Sequence, residues 1–194
     1  MTLTYLLLQA SVAVLAITGV LAAARQNMDL LSLVVIGIVT AIGRGTICDM
    51  MHGTEGIWLA DANYVLVAAL AARGTFFFEK LFRTNERALL YLDGVAGAVF
   101  CVLAIEKTLR LGFSAGVALV MGVITGIGGG LIRDVVTDNP NILLRRELYM
   151  TPILLGGGLF LALRGLAPLP QEQSAILAMV VIAAVRVGAI RFNW

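Results

Sequence analysis

The chain is poor in most of what soluble catalysts are built from. Only 13% of its 194 residues are charged, and it holds one histidine, two cysteines and 12 carboxylates. A soluble domain carries about a quarter charged residues, so composition alone argues against a soluble enzyme. So few histidines and cysteines leave little material for a metal site or a nucleophilic triad. No phosphate loop follows a strand, so a nucleotide cofactor is not expected, and no other cofactor is indicated. The net charge of +2 gives no reason to expect nucleic acid as a partner. Cys48 and Cys101 both sit in apolar stretches, which does not suggest a disulfide framework.

Hydrophobic residues are what the chain has in excess, at 60%, with a mean hydropathy of +0.95. A membrane helix needs about 20 apolar residues, and seven runs qualify: 3–24, 30–50, 62–78, 89–109, 113–136, 148–166 and 173–191. The first is long for a signal peptide and lacks a basic leader, so it reads as a retained span. In the seventh, Arg186 is expected to snorkel toward the headgroups. His52 is expected in the loop after the second span. Phe76, Phe77, Phe78 and Trp194 read as lipid-facing or belt aromatics.

The basic residues orient these spans. With the N-terminus outside, the inner face holds Arg25, Arg73, Lys80, Arg83, Arg87, Arg145, Arg146 and Arg191, against Lys107, Arg110 and Arg164 outside. This bias predicts a cytoplasmic C-terminus in a bacterial inner membrane. Arg145 and Arg146, with Glu147, read as an anchor able to hold anionic lipid.

The sequence also repeats itself. At an offset of 85 residues, Gly37, Thr40, Ile42, Gly43, Gly45, Ile47 and Asp49 fall on Gly122, Thr125, Ile127, Gly128, Gly130, Ile132 and Asp134. The same offset pairs Arg25 with Arg110 and Tyr64 with Tyr149. Each copy holds three spans, and an odd number forces the second copy into the membrane upside down. The predicted fold is therefore all-α, with seven transmembrane helices as two inverted three-helix repeats (1–85 and 86–170) and a seventh helix (171–194).

Thr40 and Thr125 should lie near mid-bilayer, about ten residues into the second and fifth spans. Gly43 and Gly45 follow in one, and Gly126, Gly128, Gly129 and Gly130 in the other. Each glycine weakens a helix by about 1 kcal/mol relative to Ala. Unwound backbone at this depth is tolerated only inside protein or beside water. Carbonyls freed near Gly43 and Gly128 would suit a monovalent cation.

The same spans carry Arg44, Asp49, Arg133 and Asp134. In-membrane charges must face water or each other. Sequence neighbours on a helix do not face each other, so the expected pairs are Arg133 with Asp49 and Arg44 with Asp134. Asp93 is expected to open the fourth span, and Glu106 and Lys107 to close it as an interfacial pair.

Three stretches carry a family resemblance: the run from Gly126 to Val135, the Arg145-Arg146-Glu147-Leu148-Tyr149 segment, and the Ala22-Ala23-Ala24-Arg25 exit of the first span. They resemble the prokaryotic branch of the trimeric intracellular cation (TRIC) channel family. The resemblance implies a homotrimer with one ion pathway per protomer, lined by kinked second and fifth helices. It implies potassium as the principal ion, with sodium permeant. Carried over, Thr40, Thr125, Arg133 and Asp134 would face the pathway. Lys107, Arg145, Arg146, Tyr64 and Tyr149 are candidates for lipid or gating contacts. The family's Gly-Gly-Gly-x-x-Arg-Asp pattern is altered in the first copy, where Arg44 replaces a glycine and Cys48 the arginine. Related sequences are also described as glycine transporters, which keeps a secondary amino-acid transporter as the alternative.

Overall fold

The structure is a computed structural model. It describes residues 3–26, 28–82, 86–139, 148–166 and 170–192. Arg83, Arg145, Arg146, Glu147 and Trp194 lie outside the described residues, as do the side chains of Arg25 and Lys80.

The helices are α1 (Leu3–Ala23), α2 (Leu30–His52), the single turn α3 (Ile57–Ala60), α4 (Asn63–Phe82), α5 (Glu86–Arg110), α6 (Ala115–Val136), α7 (Met150–Leu166) and α8 (Gln171–Phe192). A 3-10 turn, Ala24–Gln26, follows α1, and no strand occurs among the described residues. Helices α1, α2, α5, α6 and α8 are long and apolar enough to cross a membrane, while α4 and α7 carry shorter apolar stretches. Helical spans suit this setting because every backbone polar group is satisfied within its own segment. The turn α3 was not legible as a helix in the sequence.

Two helix starts show how the repeat is written into local structure. The Asp29 carboxylate caps α2 by accepting from the Leu31 N–H, and the Ser114 hydroxyl caps α6 by accepting from the Val117 N–H. The two caps stand 85 residues apart, the offset of the sequence repeat. At its far end α2 runs to His52 and is closed by Gly53, whose φ of 64° is the left-handed conformation that glycine adopts without steric cost.

The packing follows the same duplication. One core joins α1, α2 and α4 through residues such as Leu15, Leu33 and Ala68. The other joins α5, α6, α7 and α8 through Val102, Ile127, Phe160 and Ile182. Small residues let helices touch within each core. A Cβ on Gly37 would stand 3.2 Å from the Ala16 carbonyl, and one on Gly122 would stand 3.0 Å from the Cys101 carbonyl. The 85-residue offset carries one contact onto the other.

The two cores meet where α2 crosses α6. Gly43 lies against Ile132, and Gly128 lies against Ile47, with Cβ approaches of 2.6 and 3.2 Å. These contacts run the helices antiparallel and exchange under the same offset. The molecule is therefore an all-α membrane protein of two inverted three-helix units, with α8 added against α5 and α7.

Candidate functional site

The site begins at the α2–α6 crossing. Both helices run unbroken through their glycine clusters. The expected unwinding at Gly43–Gly45 and Gly126–Gly130 is thus not seen, and the one carbonyl of these clusters that accepts from a side chain among the described residues, that of Gly126, takes the Arg44 guanidinium. Packing explains why. The missing side chains let another element approach, and the tertiary contact restores what glycine propensity loses. Gly129 shows this most directly, since a Cβ there would overlap the Arg44 side chain. Arg44 is the repeat counterpart of Gly129, so the first copy's arginine fills the gap left by the second copy's glycine.

Arg44 is fully buried and leaves α2 to reach two other helices. Its Nη1 donates to the Gly126 carbonyl of α6 at 2.6 Å, and its Nη2 donates to Asp93 Oδ1 of α5 at 2.7 Å. Arg133 Nη1 donates to the same Oδ1 at 3.2 Å, while its Nε and Nη2 donate to Asp134 Oδ1 at 2.9 and 2.8 Å. The Tyr149 hydroxyl donates to Asp93 Oδ2 at 2.6 Å. Asp93 is wholly buried and is shared by two guanidiniums and a phenol. Arg186 completes the surround. Its guanidinium lies 4.6 Å from the Tyr149 ring centroid, and its Nη1 donates to the Leu148 carbonyl at 2.8 Å.

A second polar group lies near the C-terminal end of α2, five residues beyond Arg44. Lys107 Nζ donates to Asp49 Oδ1 at 2.5 Å and to the Thr54 hydroxyl at 2.8 Å, and Asp49 Oδ2 accepts from the Ile57 N–H at 2.9 Å. Asp49 thereby ties α5 and α3 to α2. Beside it opens a cavity of about 230 Å³, lined by Gly45, Cys48, Asp49, Phe100, Lys107 and Thr125 among others. The Thr125 hydroxyl is buried and stands within hydrogen-bonding reach of the Cys48 thiol. Thr40, its repeat counterpart, is equally buried but abuts Gly19 of α1.

With the geometry in view, comparison with known proteins is informative. A protein-family model described as Glycine transporter matches twice, over residues 5–80 and 90–165. The chain is 36% identical to the UPF0126 inner membrane protein YadS of Escherichia coli K12, over 93% of this chain and 88% of that one. It is 38% identical to a UPF0126 membrane protein of Vibrio cholerae, over 99% and 81% of the two chains. Its backbone superposes on the TRIC trimeric intracellular cation channel orthologue from Rhodobacter sphaeroides with a TM-score of 0.94, at 34% identity and full coverage of both chains. The chain belongs to the TRIC family. A further structure, described as the structural basis for conductance through TRIC cation channels, matches with a TM-score of 0.87 at 27% identity, over 100% of this chain and 95% of that one. The solved neighbours are channels rather than enzymes.

Against this family background, several expected placements need correction. The pairs Arg133–Asp49 and Arg44–Asp134 do not form. Both arginines instead converge on Asp93, and Asp49 is paired with Lys107. Arg133 and Asp134, adjacent on α6, do pair, because the long guanidinium stem folds back along the helix to its neighbour. Asp93 does not open its helix, since α5 starts at Glu86 and places the carboxylate two turns inside. Arg186 does not snorkel but is 2% exposed. Glu106 pairs with Arg110 rather than with Lys107. His52 is the last residue of α2, not a loop residue.

Of the candidate contact residues, Tyr149 joins the charge cluster. Tyr64 is buried and packs edge-on against Tyr5, with ring centroids 5.8 Å apart. Phe77 and Phe78 are exposed. Asp93 and Arg186 were the residues missed. A carboxylate inside an apolar run of small residues was the available signal for Asp93, because an intramembrane acid is functional by default.

Proposed function

We propose that this TRIC-family protein is a passive channel for monovalent cations, with potassium as the principal ion and sodium permeant. Each protomer of a homotrimer holds one pathway, lined by α2 and α6 and by the charged side chains between them. The units are residues 1–85, 86–170 and 171–194, with the N-terminus outside a bacterial inner membrane, the C-terminus cytoplasmic and membrane lipids as partners. Lys107 and Arg145–Arg146 are the candidate lipid or gating contacts.

One observation carries this reading. Four charged side chains, Arg44, Asp93, Arg133 and Asp134, are buried together where the two inverted units cross. Charges at the centre of a membrane helix cost about 2.5–3.5 kcal/mol each on insertion scales, and they mark ion pathways when retained. The cavity beside Asp49 is lined by residues of both crossing helices, Gly45 and Asp49 of α2 and Thr125 of α6. The solved TRIC neighbours, described as cation channels, give further support. In this arrangement the pathway passes Gly45, Asp49 and Thr125, then Arg44 and Gly129, then Arg133 and Asp134.

Planar-bilayer recording of the purified protein tests the reading. The expected result is discrete unitary currents that reverse at the potassium equilibrium potential. The alternative is secondary transport of a small amino acid such as glycine, favoured by the description of the matching family model. Saturable glycine counterflow in vesicles, without unitary currents, would decide for that alternative.

A further inference from the structure

The chain has one histidine, His52, and it joins two helices. His52 is the last residue of α2, and its Nε2 lies 3.0 Å from the Thr108 hydroxyl near the end of α5. Beside it, Lys107 of α5 holds Asp49 and Thr54. This clasp ties together two helices that wall the cavity of about 230 Å³, α2 through Cys48 and Asp49 and α5 through Leu103, Ala104 and Lys107.

The placement of protons singles out His52. Its Nδ1 lies 2.7 Å from the Cys48 carbonyl, which only accepts. The Thr108 hydroxyl has a single proton and donates it to the Ala104 carbonyl at 2.7 Å. Its oxygen is then left to accept from Nε2. Both ring nitrogens therefore face acceptors, and only the imidazolium carries a proton on each. In a neutral ring with Nδ1–H, Thr108 must turn its proton away from Ala104 to reach Nε2. A neutral ring with Nε2–H sets two lone pairs against each other at Nδ1.

The surroundings admit the charge. A cation is favoured at a helix C-terminus, where His52 stands. From α2 the ring meets the Cys48 thiol at 3.6 Å, with Asp49 on the same turn. From α5 it meets Thr108, with Lys107 adjacent, and from the turn before α6 it meets the Phe113 ring, centroids 5.7 Å apart. Asp49 and Lys107 neutralise each other at 2.5 Å, and Glu55 in the α2–α3 connection is exposed. His52 is half-buried, so protons reach it from water.

We propose that His52 is a proton-operated latch between α2 and α5, holding the two cavity walls together when charged and relaxing when neutral. A charge-assisted hydrogen bond is about twice as strong as a neutral one, so acid tightens the clasp. The effect on currents rests on the channel reading above. The inverted repeat makes the latch one-sided. The counterparts of His52 and Thr54 are Thr137 and Asn139, and those of Lys107 and Thr108 are Ala22 and Ala23. There the ends of α6 and α1 are clasped by amides: Asn139 Nδ2 donates to the Ala22 carbonyl at 3.2 Å, and Gln26 Nε2 donates to the Thr137 carbonyl. Amides do not titrate, so that clasp holds no proton switch.

Two measurements on the full-length protein, purified without a histidine tag, test the latch. The first follows isotopically labelled histidine ring nitrogens by NMR in detergent micelles, where a single histidine makes the signals unambiguous. Both nitrogens should be protonated at about pH 5 and Nδ1 alone at about pH 8, the interval in which histidine changes charge. Thr108→Val should lower the proton affinity of the ring about fivefold, the ratio that separates a charged from a neutral hydrogen bond. The second records planar-bilayer currents while pH is lowered on one face at a time. Acid on one face only should lower open probability, again about fivefold, and His52→Gln should flatten that response. A ring that stays neutral in acid, a neutral ring in the Nε2–H form, an unchanged titration in Thr108→Val, or an acid response that persists in His52→Gln would each overturn the latch. If Thr108→Val does not fold, the wild-type titration and His52→Gln decide. Silence in the bilayer at every pH would count against the channel reading instead, and the NMR titrations would then decide the latch.

Discussion

Asp93→Ala is the substitution on which the buried cluster stands or falls. The carboxylate is fully buried, with Arg44 at 2.7 Å and Arg133 at 3.2 Å on one oxygen and Tyr149 at 2.6 Å on the other. At an effective dielectric of about 20, an ion pair 4 Å apart is worth about 4 kcal/mol, and two such pairs are lost together. Part of that loss is offset because the carboxylate no longer has to be desolvated. Breaking a buried pair by removing one partner costs about 3–5 kcal/mol net. In a chain of this size each kcal/mol moves Tm by about 2–4 °C, so a fall of roughly 6–20 °C is expected. The assay is thermal denaturation of the detergent-solubilised protein, followed by loss of its size-exclusion peak. Arg44→Met should cost less, because Asp93 retains Arg133 and Tyr149. The double variant Asp93→Ala with Arg44→Met should recover part of the loss, since one uncompensated guanidinium is gone. An Asp93→Ala protein that melts within about 2 °C of wild type, or a double variant whose losses simply add, would refute the shared-carboxylate account.

The remaining predictions concern the pathway. Arg44 fills the space against Gly129, so Arg44→Gly should open that space and raise open probability or unitary conductance; unchanged bilayer currents would argue against Arg44 as a barrier. Asp49→Lys and Lys107→Asp should each impair ion flux in vesicles, and the combined swap should restore it, because the 2.5 Å pair is re-formed with the charges exchanged. Failure of the swap, with both single variants impaired, would show that position rather than pairing matters.

Much of the fold was legible because membranes impose a simple code. Runs of about 20 apolar residues locate helices, and the 85-residue offset, carried mainly by glycine and polar residues, located the duplication. The Asp29 and Ser114 caps fall at the starts of α2 and α6 for the same local reason. The buried arginines and aspartates could be recognised as unusual from their type alone. Their partners could not.

Sequence alone thus determined the all-helical membrane fold, the inverted duplication and the identity of most of the buried charges, since each depends on local hydrophobicity and spacing. Tertiary structure alone decided that Asp93 is the shared partner of Arg44 and Arg133, that Arg186 turns inward onto Tyr149, and that the glycine clusters stay helical. The physical reason is reach. A guanidinium on a long stem can meet carboxylates on several neighbouring helices, and only the relative placement of α2, α5, α6 and α8 selects among them.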